Sequence, residues 1–185
     1  VRIIGGRWRR SRVPVAAAEG LRPSPDRVRE TLFNWLGQDL SGWRVLDAFA
    51  GSGVLGLEAA SRGAAEVWLV ERQPRLAASL RASCARLKAS PPVQVREADG
   101  LRVLKEAAGA DLDLILLDPP YDSGLLPAAL DAAALSVAPG GWVYAEDRRP
   151  LTAWPPALQL VRSLKAGAVH AHLLRRLQSA EPPHA

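Results

Sequence analysis

The sequence holds one cysteine, Cys84, no methionine, three histidines and three lysines among its 185 residues. A single cysteine cannot close an internal disulfide, and within "LRASCARL" it reads as a small core filler rather than a reactive thiol. One cysteine and three scattered histidines offer no metal-ligand spacing, so no metal is expected. No window approaches the roughly 18 uncharged apolar residues of a membrane span, and the opening "VRIIGGRWRRSR" lacks the apolar stretch of a signal peptide. Neither a membrane nor export is indicated, and a cytoplasmic location is expected. There is no internal repeat. At 48% hydrophobic the chain can cover one core. A globular domain is expected over residues 23–178, with a basic arm or hairpin at 1–22 and a frayed tail, "SAEPPHA", at 179–185.

What is plentiful is arginine, and it is unevenly placed. Residues 1–30 carry eight arginines against Glu19, Asp26 and Glu30, so the whole formal excess of +5 lies there and the rest of the chain is balanced. Arginine's planar fork suits phosphates and base faces. A polyanionic partner is the natural reading, against the plainer one of a solvated tail. Trp8 and Ile3–Ile4 interleave with these arginines; for Trp8, anchoring a hairpin and stacking on a base are equally good readings.

Downstream, Ser24 followed by Pro25 reads as helix cap and first helical position. Val28, Leu32, Trp35 and Leu36 then share one helical face, and Gly37 can end the helix. From Trp43 on, strand and helix patterns alternate, as "WRVLDAF", "GVLGLEAASRG", "EVWLVE", "RLAASLRASCARL", "VQVREA", "GLRVLKEAA", "LDLILLD", "LLPAALDAAAL" and "GWVYAE". Five strands spaced by helices predict right-handed crossovers and an α/β fold with a parallel sheet. "ALQLVRSLKAG" and "AVHAHLLRRL" leave no room for a crossover helix and predict a closing hairpin at the sheet edge.

In an open α/β sheet the ligand crevice lies beyond the carboxyl ends of the strands, where the winding reverses. The first strand ends there in "DAFAGSGVLG". Gly51, Gly53 and Gly56 form G-x-G-x-x-G, and Glu71 closes the second strand 20 residues after Gly51. The glycines alone separate neither NAD from S-adenosylmethionine (SAM) nor a ligand from a merely tight turn. Three acids in register at strand ends, Asp47, Glu71 and Asp99, favour a ligand with cationic and hydroxyl groups over an anionic pyrophosphate. The fourth strand ends in Asp118-Pro119-Pro120-Tyr121, next to the first across the reversal. Two prolines remove two backbone donors and stiffen the chain, predicting a rim of acceptors beside Asp118. A carboxylate and a carbonyl accepting both N–H bonds of a nucleobase amine would turn its lone pair toward a methyl donor, while Tyr121 stacks on the base. The plainer reading is an acid capping the next helix and prolines ending a strand.

"DPPY" resembles motif IV of the class I SAM-dependent methyltransferases that act on amino nitrogens, and "DAFAGSGVLGLEA" resembles their motif I. With "RIIGGRW", "LRPSPDRVRETLFNWL" and "KAGAVHAHLLRR", the chain is similar nearly end to end to the bacterial 16S rRNA (guanine(966)-N(2))-methyltransferase family, the RsmD family. The resemblance implies a Rossmann-like class I fold with a seven-stranded, mostly parallel sheet, a reversed last strand and a basic N-terminal hairpin or arm. It implies transfer from SAM to guanine N2 in 16S rRNA, on the 30S subunit or a late assembly intermediate; the exposed edge of the closing hairpin, carrying "RR", argues separately for a monomer. SAM would be held by Asp47, Phe49, Ala50, Gly51, Ser52, Gly53, Glu71, Arg72, Asp99 and Gly100, and the guanine by Asp118, Pro119, Pro120 and Tyr121. RNA would be gripped by Arg7, Trp8, Arg9, Arg10 and Arg12, with Arg22, Ser24 and Arg27 over the crevice. Ser24 stands where the family usually has threonine, which keeps the hydroxyl. The rival readings are an amino-methyltransferase of adenine N6 or cytosine N4 in DNA or another RNA, and an RNA-binding protein without turnover.

Replacing Arg7, Arg9, Arg10 and Arg12 together with alanine is expected to weaken RNA binding and flatten its salt dependence while SAM affinity stays nearly intact. Titrations of RNA across a salt series, beside a SAM titration, check both halves.

Overall fold

The computed structural model describes residues 1–15, 24–89 and 92–178. Arg22 and the tail at 179–185 lie outside the described residues. The elements run α1 (Asp26–Leu36), β1 (Arg44–Asp47), α2 (Val54–Ser61), β2 (Glu66–Glu71), α3 (Pro74–Leu87), β3 (Val93–Glu97), α4 (Gly100–Glu106), β4 (Leu112–Leu117), α5 (Leu126–Ser136), β5 (Val137–Asp147), β6 (Leu158–Ala166) and β7 (Val169–Arg176).

The strands form one seven-stranded sheet in the order β3-β2-β1-β4-β5-β7-β6. β1 to β5 pair in parallel, whereas β7 is antiparallel to both β5 and β6. The expected hairpin is present, turning at Gly167, and it enters the sheet through its second strand, so that β6 forms the edge. The winding moves outward from β1 to β3, then returns to β4 on the other side of β1, which opens a crevice where those two strands end. The run "LILL" of β4 is wholly buried, as an interior parallel strand covered on both faces should be.

Two apolar cores result. One holds α1, α2, α3 and the N-terminal hairpin, with Leu32, Phe33, Leu57, Leu69 and Leu80 at its centre; Cys84 packs there, its thiol pushed up to about 11 by burial. The other holds α4 and α5 against Leu46, Ile115, Leu117 and Val143. Among the described residues no helix is long and apolar enough to cross a membrane, and no group of histidine, cysteine and acid side chains is placed to hold a metal.

The N-terminal segment takes the hairpin form and is tied into the first core. Arg2 bridges Arg12, Ile3 and Val13 are each 1% exposed, and Arg7 N–H donates to the Ser61 carbonyl at 2.8 Å. Trp8 packs against the core beneath the Arg7 guanidinium, 4.2 Å from its ring centroid, which is the anchoring arrangement. The knot is Glu58 on α2, fully buried. Its carboxylate accepts Ile4 N–H at 2.8 Å, Gly5 N–H at 2.7 Å and Arg62 Nη2 at 2.8 Å, and pairs with Arg29 Nη1 at 3.4 Å. Arg29, itself 0% exposed, also donates to the Arg2 carbonyl at 2.9 Å and to Asp26 at 2.5 Å. A buried carboxylate is tolerable only with such a full set of donors.

Glu58→Ala would leave two buried guanidinium groups and two amides short of a partner. It is expected to destabilise the protein by roughly 3–5 kcal/mol, read as a lowered midpoint in urea unfolding.

Candidate active site

The turn after β1 is set by two glycines. Gly53, at φ +76°, stands in the cap position of α2, where a Cβ would run into the Leu80 side chain. At Gly56 a Cβ would collide with Leu69 and come within 3.1 Å of Asp47 Oδ2. The missing side chain lets α2 lie close on the sheet, and Gly56 N–H donates to Asp47 Oδ2 at 3.0 Å. Asp47 is thereby 1% exposed. Burial pushes its carboxyl up to about 7, and the Glu71 charge adds to this, against the opposing pull of the Gly56 amide.

The neighbouring acids are also engaged. Glu71 accepts Gly51 N–H at 3.0 Å on one oxygen and Gln73 N–H at 2.8 Å on the other. Asp99 caps α4, accepting Arg102 N–H at 2.8 Å. A carboxylate has about four lone-pair sites, so each keeps acceptor capacity toward the crevice.

The structure adds one acid that reading the sequence missed. Parallel pairing of Leu117 with Ala145 sets Glu146, near the end of β5, level with Asp118. Glu146 is 1% exposed and accepts Ser24 Oγ at 2.5 Å and Tyr144 Oη at 2.6 Å. Burial raises its carboxyl, against these two donors and the Arg29 charge. The acid was visible in "GWVYAE"; its register beside β4 was not. Ser24 is correspondingly not the helix cap expected. α1 starts at Asp26 with Pro25 in the cap position and no side-chain cap, because the hydroxyl makes the stronger charge-assisted bond to Glu146.

Five adjacent strands, β3, β2, β1, β4 and β5, thus deliver Asp99, Glu71, Asp47, Asp118 and Glu146 to the carboxyl-end side of the sheet. Asp118 differs from the other four. Among the described residues no protein donor reaches its carboxyl, which burial, then Glu146 and Asp47, push well above the ordinary carboxylate range. Of the two prolines after it, Pro119 is buried and Pro120 exposed. The Pro120 carbonyl accepts Ser123 N–H at 3.2 Å. The expected rim of acceptors therefore narrows to Pro119, because the chain turns back on itself through Asp122 at φ +61°. Tyr121 is half-buried, its hydroxyl pushed up to about 12 by burial and by the Asp118 charge, and the Arg148 guanidinium lies 4.8 Å from its ring centroid.

Of the residues expected around a ligand, Asp47, Phe49, Ala50, Gly51, Ser52, Glu71, Arg72, Asp99 and Gly100 line one crevice, with Asp118, Pro119, Pro120, Tyr121 and Ser24 on its other wall. It encloses about 1000 Å³ with its open mouth included. Gly53 stands behind the wall as the cap of α2. Arg27 is exposed on the first turn of α1. Arg7, Trp8, Arg9 and Arg10 are not at the crevice. Their turn docks at Ser61, the far end of an eight-residue helix, about 12 Å along its axis. Arg12 lies on the same side, its carbonyl accepting Arg86 Nη2 at 2.5 Å. A crevice with this acid row accepts hydroxyl, N–H and cationic groups and repels a polyphosphate.

This sheet order, the reversed strand and a crevice of this kind define a Rossmann-like class I methyltransferase. The chain belongs to the family described as Conserved hypothetical protein 95, whose family model matches residues 1–175. It is 37% identical over 189 residues to Ribosomal RNA small subunit methyltransferase D of Escherichia coli (strain K12), covering 98% of this chain and 92% of that protein. It is 39% identical over 153 residues to the protein of the same name from Haemophilus influenzae, covering 80% and 79%. The solved structure of yhhF from Escherichia coli superposes with a TM-score of 0.84 at 35% identity, covering 97% of this chain and 99% of that one.

The raised Asp47 carboxyl carries a stability consequence. The folded state holds this proton up to about pH 7, against 3.8 for an ordinary aspartate, so Asp47 lowers stability as pH rises between those values, on the order of 4 kcal/mol in all. Asp47→Asn keeps an oxygen for Gly56 N–H and removes the titration. Its urea midpoint is expected to exceed the parent's at pH 8, the gap closing toward pH 4.

Proposed function

We propose that the crevice binds SAM and that the protein transfers its methyl group to the exocyclic N2 amine of a guanine in 16S rRNA. The observation that carries this reading is the Asp118 carboxyl, the one acid of the row that no protein donor reaches among the described residues, beside the Pro119 carbonyl. Bound in the crevice, SAM supplies an electrophilic methyl on a cationic sulfur. The Gly51–Gly53 turn lets it approach the backbone, Glu71 offers its remaining lone pairs to ribose hydroxyls, and Asp99 takes an N–H donor. Gly100 and Phe49 complete the wall, and Arg72 stands at the mouth.

A guanine amine is a poor nucleophile because its lone pair is delocalised into the ring. Asp118 and the Pro119 carbonyl accept its two N–H bonds, favour a pyramidal nitrogen and hold the lone pair on the methyl. No base need remove a proton first; it leaves once the N–C bond has formed. Asp118 accepts best when ionised, and a cation in the crevice draws its raised carboxyl back down, so the rate is expected to climb with pH while Asp118 ionises. Tyr121 stacks on the base, an interaction of roughly 1–3 kcal/mol in single-strand readers. The relatives are named for methylation of small-subunit rRNA, and the motif resemblance points to guanine 966. We take the substrate to be the 30S subunit or a late assembly intermediate, and the enzyme to be a cytoplasmic monomer.

Asp118→Ala is expected to lower methyl transfer by at least about 10²-fold while RNA binding is kept. The measurement is incorporation of labelled methyl into undermethylated small subunits, with mass spectrometry of 16S rRNA digests to place it. Transfer at the parent's rate by that variant, or no rise in the parent's melting temperature with SAM, would refute the reading.

A further inference from the structure

The acid row that suits a cationic ligand creates a difficulty for an RNA substrate. Phosphates approaching Asp118 and Glu146 meet like charge unless cations stand between, and the hairpin arginines lie about a helix length away. Beside Arg72 on the crevice lining, the segment after β5 supplies two further cations among the described residues. It leaves the sheet after Asp147, next to buried Glu146, and is pinned again at Leu151, whose N–H donates to His172 Nε2 at 3.1 Å. Between these anchors sit Arg148 and Arg149, with side chains 49% and 83% exposed.

Both face the Asp118–Tyr121 loop. Arg148 covers the Tyr121 ring and pairs with Asp122 at 3.3 Å; Arg149 reaches the same carboxylate at 3.9 Å. Asp122 is 62% exposed, and ion pairs in such positions are weak and easily exchanged. Arg149 also lines a second concavity behind the loop, which shares Pro119, Pro120 and Tyr121 with the crevice. A flat guanidinium therefore rests on an aromatic face beside the site of reaction, tethered to an acid that a phosphate can replace. Asp147, whose carboxylate accepts Arg148 N–H at 2.6 Å, fixes the backbone at that point and leaves the guanidinium free to move.

Resting on the proposed function, we infer that Arg148 and Arg149 form the phosphate clamp of the RNA substrate, and that Arg148 holds the place of the target base on Tyr121 until the base enters. In the free protein Arg148 is parked on Tyr121 and Asp122. When a base takes the ring, Arg148 and Arg149 exchange Asp122 for phosphates flanking the extruded nucleotide, offsetting the crevice acids. A guanidinium is suited to both positions, since it stacks on aromatic rings and binds phosphate through two N–H groups.

The test uses the full chain and undermethylated small subunits. Arg148→Ala with Arg149→Ala is expected to reduce the slope of log K against log salt by about 1.4–1.8, two phosphate contacts' worth. The KM for subunits should rise at least tenfold, more than kcat falls, with SAM affinity within twofold of the parent as the check on folding. Asp122→Asn, which removes the parking partner, should lower that KM two- to threefold. An unchanged slope and KM in the double arginine variant overturns the clamp. A KM raised by Asp122→Asn overturns the place-holding role, because the pair would then be a structural tie. If the parent itself transfers no methyl, the proposed function fails, while the salt slope still reports on the clamp.

Discussion

Five carboxyl groups at the ends of five neighbouring strands, four lining one crevice and Glu146 bordering it from behind, are the constraint around which this structure is organised. Left alone, such a row would be unstable, since burial and mutual repulsion both oppose ionisation. The fold answers with local donors: Gly56 for Asp47, Gly51 and Gln73 for Glu71, Arg102 for Asp99, Ser24 and Tyr144 for Glu146. Each bond also ties a turn or helix start to a strand end. The acids thereby shape the crevice they line or border, and among the described residues Asp118 is left with its accepting capacity unspent.

A buried carboxylate outside this row, Glu58, explains why the basic N-terminus cannot be treated as one functional unit. The charge excess of the first 30 residues invites a single reading, but the arginines divide by environment. Arg29 is wholly inside, satisfying Glu58, Asp26 and the Arg2 carbonyl. Arg7 lies on Trp8, while Arg9, Arg10 and Arg27 remain exposed. Hairpin, α1 and α2 meet at Glu58, so the wall carrying Ser24 is fixed relative to β5.

The loops beyond β4 and β5 work as a pair. One carries a carboxyl, a carbonyl and an aromatic ring on a backbone stiffened by two prolines; the other carries two arginines between anchored ends. Their contacts through Arg148, Tyr121 and Asp122 are exposed and exchangeable, unlike the buried bonds beneath them. Buried, rigid contacts and exposed, exchangeable ones are thus separated within a few residues, which suits the proposed positioning of a base and entry of RNA.

Much of this was legible in the residues alone. Local patterns carry strand and helix identity, so the alternation from Trp43, the glycine turn at Gly51–Gly56, the acids of the first four strands and the closing hairpin could be read directly. The place of the fourth strand beside the first followed from the winding reversal of a doubly wound sheet. Three things could not be read. Glu146 joins the site through register across β4 and β5, Ser24 abandons a helix cap for a partner 122 residues away, and Glu58 looks like any helical glutamate until α1 and the hairpin close over it. Local sequence determines what a segment can form, because propensity and periodicity act over a few residues. Which charges become neighbours, and which lose their water, depends on contacts between distant segments, and only the tertiary structure decided that.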